Sequence, residues 1–65
     1  MNAWTAVGRT GWAMRRYSAR TIEVASPRGW SDAAIRYDDG SIAYDYPERI
    51  PQYVKRAVAR AYAEG

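Results

Sequence analysis

The groups able to do acid–base or nucleophilic work in this chain are few: seven carboxylates, one lysine, and scattered hydroxyls. There is no histidine and no cysteine. That removes the usual general base, the commonest metal ligand and any thiolate nucleophile. A serine nucleophile would have to draw on Lys55, which the helical pattern described below puts on a solvent-facing side. Asp38, Asp39, Asp45 and Glu48 cluster in sequence, but they do not make a calcium loop. Counting back from Gly40 puts Ile35 and Tyr37 where such a loop needs its first and third oxygen ligands. Asp38 and Asp39 read instead as turn formers. Gly8 and Gly11 flank only Arg9-Thr10, a tight turn and not a dinucleotide or P-loop fingerprint. Paired carboxylates can run glycoside hydrolysis, yet a chain this short leaves little room for a substrate cleft. The sequence therefore predicts a protein that is not an enzyme, with no catalytic residues, no metal site and no cofactor.

What could recognise a partner is more plentiful. Nine Arg, six Tyr and three Trp make up eighteen of the 65 residues. These are the types that dominate binding hot spots. A chain of this size is one domain, residues 1–65, near the lower limit of independent folding. It lacks Phe, so many of its aromatics must serve as core. A core this small makes homodimer formation one route to more buried area. Net charge is +3, which permits nucleic-acid binding without demanding it. The first fourteen residues contain Arg9 and no apolar run of the kind a secretory leader needs. No stretch approaches the 18 or so apolar residues of a membrane span. These features predict a soluble, cytoplasmic protein with no membrane association.

The elements that must position the recognition residues follow from periodicity. Pro51 suits the first position of a helix, where its missing N–H costs nothing. From Ile50 on, Tyr53, Val54, Ala57, Val58, Ala61 and Tyr62 recur at the spacing of one buried face. This predicts a helix over 51–63, ended by Gly65. Lys55, Arg56 and Arg60 fall on its other side. They form a cationic stripe that also suits an ordinary solvated helix face.

Asp39-Gly40 lies between two alternating runs, a hairpin signal because a two-residue type I′ turn needs positive φ at both central positions. With those two residues as the loop, Tyr37 pairs with Ile42, Arg36 with Ala43, Ile35 with Tyr44 and Ala33 with Tyr46. Ala33, Ile35, Tyr37, Ile42, Tyr44 and Tyr46 then share the face meant for the helix. Ala34, Arg36, Ala43 and Asp45 take the opposite face. Strands are expected over 33–38 and 41–46, and a further one over 20–26 with Ile22 and Val24 inward. Ser26-Pro27-Arg28-Gly29 supplies the turn between them. Another strand over 11–17 alternates Trp12 and Met14 against Ala13, Arg15 and Tyr17, and a short one is allowed at 4–7. The expected fold class is α+β: a three- to four-stranded antiparallel sheet with one C-terminal helix packed on one face.

A two-layer module of this kind leaves one sheet face bare. By the pairing above that face carries Ala13, Arg15, Tyr17, Thr21, Glu23, Ala34, Arg36, Ala43 and Asp45. Arg9, Arg28 and Trp30 lie in turns able to flank it. The partner-binding set expected from sequence is thus Arg15, Tyr17, Arg36, Trp30, Arg28 and Arg9. Acids among the arginines favour another protein, or a nucleoprotein complex, as partner. The alternative is a nucleic-acid-binding protein using arginines and aromatics on the sheet face. No RRM-type motif supports that alternative. In size and strands-then-helix layout the chain resembles small phage-encoded inhibitors such as anti-CRISPR proteins. That resemblance implies a compact plug that occupies a site on a larger nucleoprotein machine in the host cytoplasm.

Overall fold

The computed structural model describes residues 3–65. Met1 and Asn2, which open the stretch read as lacking a leader's apolar segment, lie outside the described residues. Five strands form one antiparallel meander in chain order: β1 (Thr5–Ala6), β2 (Ala13–Ser18), β3 (Thr21–Ala25), β4 (Ser31–Arg36) and β5 (Ile42–Ala43). A 3-10 turn at Pro47–Arg49 leads into the single helix α1 (Gln52–Ala63). The protein is α+β, with one strand more than the upper count expected from sequence, because the short run near residue 5 pairs with β2. The last strand is far shorter than 41–46, ending at Ala43.

The helix seats on the sheet through Ile50, Val54, Val58 and Tyr62, a row recurring every fourth residue. These join Val7, Trp12, Ile22, Val24 and Ala34 in one buried cluster. Val54, Val58 and Val24 have no exposed surface at all. Tyr62 spends its hydroxyl inside the core, donating to the Ala34 carbonyl oxygen at 2.6 Å. Pro51 caps the helix instead of opening it: its carbonyl accepts from the Val54 and Lys55 amides. Tyr53, expected among the helix's buried residues, lies at the margin of that face and is largely exposed.

The β4–β5 hairpin corrects the sequence reading. Ile35 pairs with Ala43 and Arg36 with Ile42. The Tyr37 amide then donates to the Ser41 carbonyl, and the Gly40 amide to the Tyr37 carbonyl. The loop is therefore three residues, Asp38 to Gly40, with only Gly40 at positive φ (88°). That is a type I turn followed by a left-handed glycine, the other common hairpin closure. The Asp39 carboxylate accepts from both the Ser41 amide and hydroxyl, which fastens this form of the loop and holds its carboxyl below the usual range. One extra loop residue reverses every side chain of β4 relative to the expectation while leaving β5 unchanged. Asp32 and Ala34 consequently face the helix, and both are buried. Arg36 lies on the helix side too, 5.9 Å from the Tyr62 ring centroid. Ala33 and Ile35 face away, and Tyr37 and Tyr46, expected inside, are about half exposed.

Burying Asp32 is compensated by backbone donors. Its carboxylate accepts from the amides of Ala33 (2.7 Å), Asp45 (3.2 Å) and Tyr46 (3.0 Å). Beyond Ala43 the chain makes no further ladder pairs with β4, so Asp32 takes over the role of pairing there. Asp32→Ala should cost about 2–3 kcal/mol, because it strips charge-assisted bonds from two distant amides. Urea unfolding would measure that loss. Val58→Asp should abolish cooperative unfolding altogether, since an unpaired carboxylate would sit where no water reaches.

Candidate functional site

The face opposite the helix is uncovered. Its side chains follow from the ladder: Ala13 beside Ala25, Arg15 beside Glu23, Glu23 beside Ala33, Thr21 beside Ile35, and Ile35 beside Ala43. Half of these residues are alanine, so much of the floor is low and flat. One row of larger groups crosses it. Trp4 lies under the Arg15 guanidinium, 4.6 Å from ring centroid to carbon, and Arg15 reaches Glu23 at 3.0 Å. Packing on one side and pairing on the other hold a long cationic side chain in a single posture.

Tyr17 stands at the end of this row for a structural reason. The β2–β3 register shifts between Arg16 and Ser18, so Tyr17 is an extra residue in its strand. A bulge of this kind re-aims the side chain it carries. Tyr17 is the most exposed large apolar residue, at 75%. With Thr21, Glu23, Ala33 and Asp45 it borders a shallow depression on the open face.

The six residues expected to bind a partner are thus divided among separate places. Arg15 and Tyr17 are on the open face. Trp30 and Arg28 meet at one end of the sheet, where they line a cleft with Trp12 and Arg49. Arg9 lies in the turn before β2, whose Gly11 abuts Pro27 of that same end. Arg36 is at the opposite end, on the helix side, and its placement on the open face is overturned by the hairpin register. Trp4 is the functional candidate the sequence reading missed. Its signal was present, since Val7 is buried and alternation back from it puts Ala6 and Trp4 on the outer face.

Charge on the open face is mixed. Arg15 is neutralised by Glu23, and Asp45 adds a negative charge beyond them. The strongly cationic regions lie elsewhere, including Arg56 and Arg60 beside a groove between helix and β1–β2. Among the described residues no group of three or more Asp, Glu, His or Cys gathers to hold a metal ion. No helix among them is long and apolar enough to cross a membrane. Comparison with protein-family models, curated proteins and solved structures yields no match.

Two tyrosines on the helix side have altered acidity. Burial, reinforced by neighbouring Tyr62 and Asp32, pushes the Tyr44 hydroxyl up to about 12. Burial also raises Tyr62, against the opposing pull of Arg16. Tyr44 Oη has no hydrogen-bond partner among the described residues and is closed to solvent. A group whose folded pKa lies above its unfolded value of about 10 stabilises the fold fully below pH 10. That contribution is lost as pH rises through 12. Thermal stability should therefore fall between pH 10 and 12, and Tyr44→Phe should flatten the fall. At neutral pH the same variant should gain about 1 kcal/mol by removing an unsatisfied buried hydroxyl, which denaturant titration would read.

Proposed function

We propose that this protein is a small non-enzymatic binding module that docks another protein on its open sheet face. The observation that carries the reading is the row Trp4–Arg15–Glu23 with Tyr17 swung out beside it by the bulge. Trp, Tyr and Arg are the types enriched at interface centres, and the low alanines around them leave these side chains standing clear of the sheet. The stacking of Arg15 on Trp4 and its pairing with Glu23 order that row before any partner arrives, which lowers the entropic cost of docking. The described chain measures 31 × 27 × 17 Å, so its broad side is comparable to the 800 Å² or so that each partner contributes to a standard interface. The resemblance of size and layout to small phage-encoded inhibitors gives the partner a concrete form: a larger cytoplasmic nucleoprotein complex whose working surface this face would occupy.

Direct binding of nucleic acid by the same face has weaker support. Arg36 is not on it, and Arg15 is already paired with a carboxylate. A polyanion would meet Asp45 without a compensating free cation in that row.

The test is capture from the native host's lysate, followed by titration of the retained partner. Trp4→Ala, Tyr17→Ala and Arg15→Glu should each weaken the complex by about tenfold or more, the scale of a hot-spot loss. Arg36→Glu should leave affinity unchanged, with melting curves showing all four variants folded. Equal binding by wild type and the three face variants would sink the proposal. So would steeply salt-dependent binding to DNA or RNA in place of protein.

A further inference from the structure

The end of the sheet that carries the β1–β2 and β3–β4 turns holds a second feature, separate from the open face. Trp12 and Trp30 pack edge to face there, with ring centroids 5.3 Å apart and planes at 88°. Together with Pro27 they make the floor of a cleft of about 490 Å³. Arg28 and Arg49 stand on its lining, and no acidic side chain does. Neither arginine has a carboxylate partner among the described residues; Arg49 packs over Tyr46 at 5.1 Å.

The walls of this cleft are pinned. Ser26 Oγ accepts from the amides of both Arg28 and Trp30, and the Gly29 amide closes the turn on the Ser26 carbonyl. Gly11 (φ 88°) lies so close to Pro27 that a Cβ there would come within 3.0 Å of the ring. The carboxylate of Asp32 anchors Asp45 and Tyr46, from which the 3-10 turn carries Arg49 to the cleft. An apolar floor, two uncompensated guanidinium groups and a fixed backbone together describe a receptor more than an accidental dimple.

We propose that this cleft is a docking site for an acidic peptide segment of a partner protein, one that presents an aliphatic side chain beside carboxylates. The aliphatic group would lie on the Trp12–Trp30–Pro27 floor, and the carboxylates would pair with Arg28 and Arg49. Charge complementarity selects the acid. The ring arrangement favours an aliphatic chain over a nucleobase: Trp12 is only 7% exposed, the T-shaped contact takes up one ring face of the pair, and stacking a base needs a broad open ring face. The inference rests on the protein-binding reading and adds a second contact of defined chemistry to it.

The test uses the full chain and an acetylated, amidated Asp-Glu-Leu-Glu-Asp peptide. The three tryptophans provide three indole N–H signals in a proton–nitrogen correlation spectrum, and Trp4, on the other face, is the internal control. Titration should move the Trp12 and Trp30 signals and leave Trp4 in place. Replacing the acids of the peptide by Lys, or its Leu by Gly, should abolish the shifts. Arg28→Glu with Arg49→Glu should weaken binding by about tenfold or more through like-charge contact, and the unchanged backbone spectrum of that variant would show it folded. No shift at millimolar peptide, an equal response to the Lys peptide, or a stronger response to adenosine monophosphate would overturn the proposal. If the Arg15→Glu variant loses its protein partner while the acidic peptide is silent, the open-face reading stands and this one falls. If the peptide binds while the open-face variants keep their partner, the reverse holds.

Discussion

One helix on one sheet must supply nearly all of the core, and that constraint organises the rest of the molecule. Val54, Val58 and Tyr62 are the helix's buried residues, and with Ile50 just before it they meet Ile22, Val24 and Ala34 at the centre of the sheet. A small residue at Ala34 matters as much as the large ones. It leaves room for the Tyr62 ring, whose hydroxyl reaches the Ala34 carbonyl oxygen, so a polar atom enters the core fully satisfied. Arg16 then completes that end of the helix from outside. It packs over the Tyr62 ring at 4.9 Å and donates to the Ala61 carbonyl, one of the acceptors a helix leaves unpaired at its C-terminus. With no second layer available, the other sheet face stays open by geometry.

The hairpin loop decides which residues fall on each side. A left-handed glycine closing a three-residue loop turns β4 over, and Asp32 becomes the one carboxylate in the buried set. Its cost is offset by backbone amides that would otherwise lack partners, because the chain after Ala43 no longer runs in register with β4. The same turnover withdraws Arg36 from the open face and leaves alanines and Ile35 there. A basic sheet surface thereby becomes a flat, nearly neutral one with its larger groups gathered along one line. That mixed charge and flatness are what the proposed protein partner rests on.

The two proposed docking surfaces share one device: an arginine packed beside an aromatic ring. On the open face Arg15 is packed by Trp4 and paired with Glu23, so its contribution is shape and posture more than charge. At the turn end Arg49 is packed by Tyr46, but among the described residues neither it nor Arg28 has a carboxylate partner. The partners proposed for the two surfaces therefore differ in chemistry: a flat complementary protein face for one, and an acidic segment with an aliphatic side chain for the other. Asp32 touches both surfaces: it borders the depression that Tyr17 lines and accepts from the Asp45 and Tyr46 amides that lead to Arg49.

The α+β class, the place of the helix, the inward Trp12, Ile22 and Val24, and the outward Arg15 and Glu23 were all legible in the residues. Hydrophobic periodicity reports burial directly when an element has one wet and one dry side. Trp4 was missed: alternation from Val7 would put it outward, but a two-residue strand gives too few repeats for the pattern to speak for itself. The facing of β4 was not legible. Over Ser31–Arg36 alternation sets Ser31, Ala33 and Ile35 against Asp32, Ala34 and Arg36, so local hydrophobicity points the more apolar row at the helix, the opposite of what the structure does, and Asp-Gly serves two-residue and three-residue loops alike. Tertiary structure made that choice, through the seat for Tyr62 at Ala34 and the amides that needed Asp32. The tryptophan–arginine cleft was equally beyond sequence. Trp12, Trp30, Arg28 and Arg49 come from three separate connections and meet only because the meander brings its turns to one end.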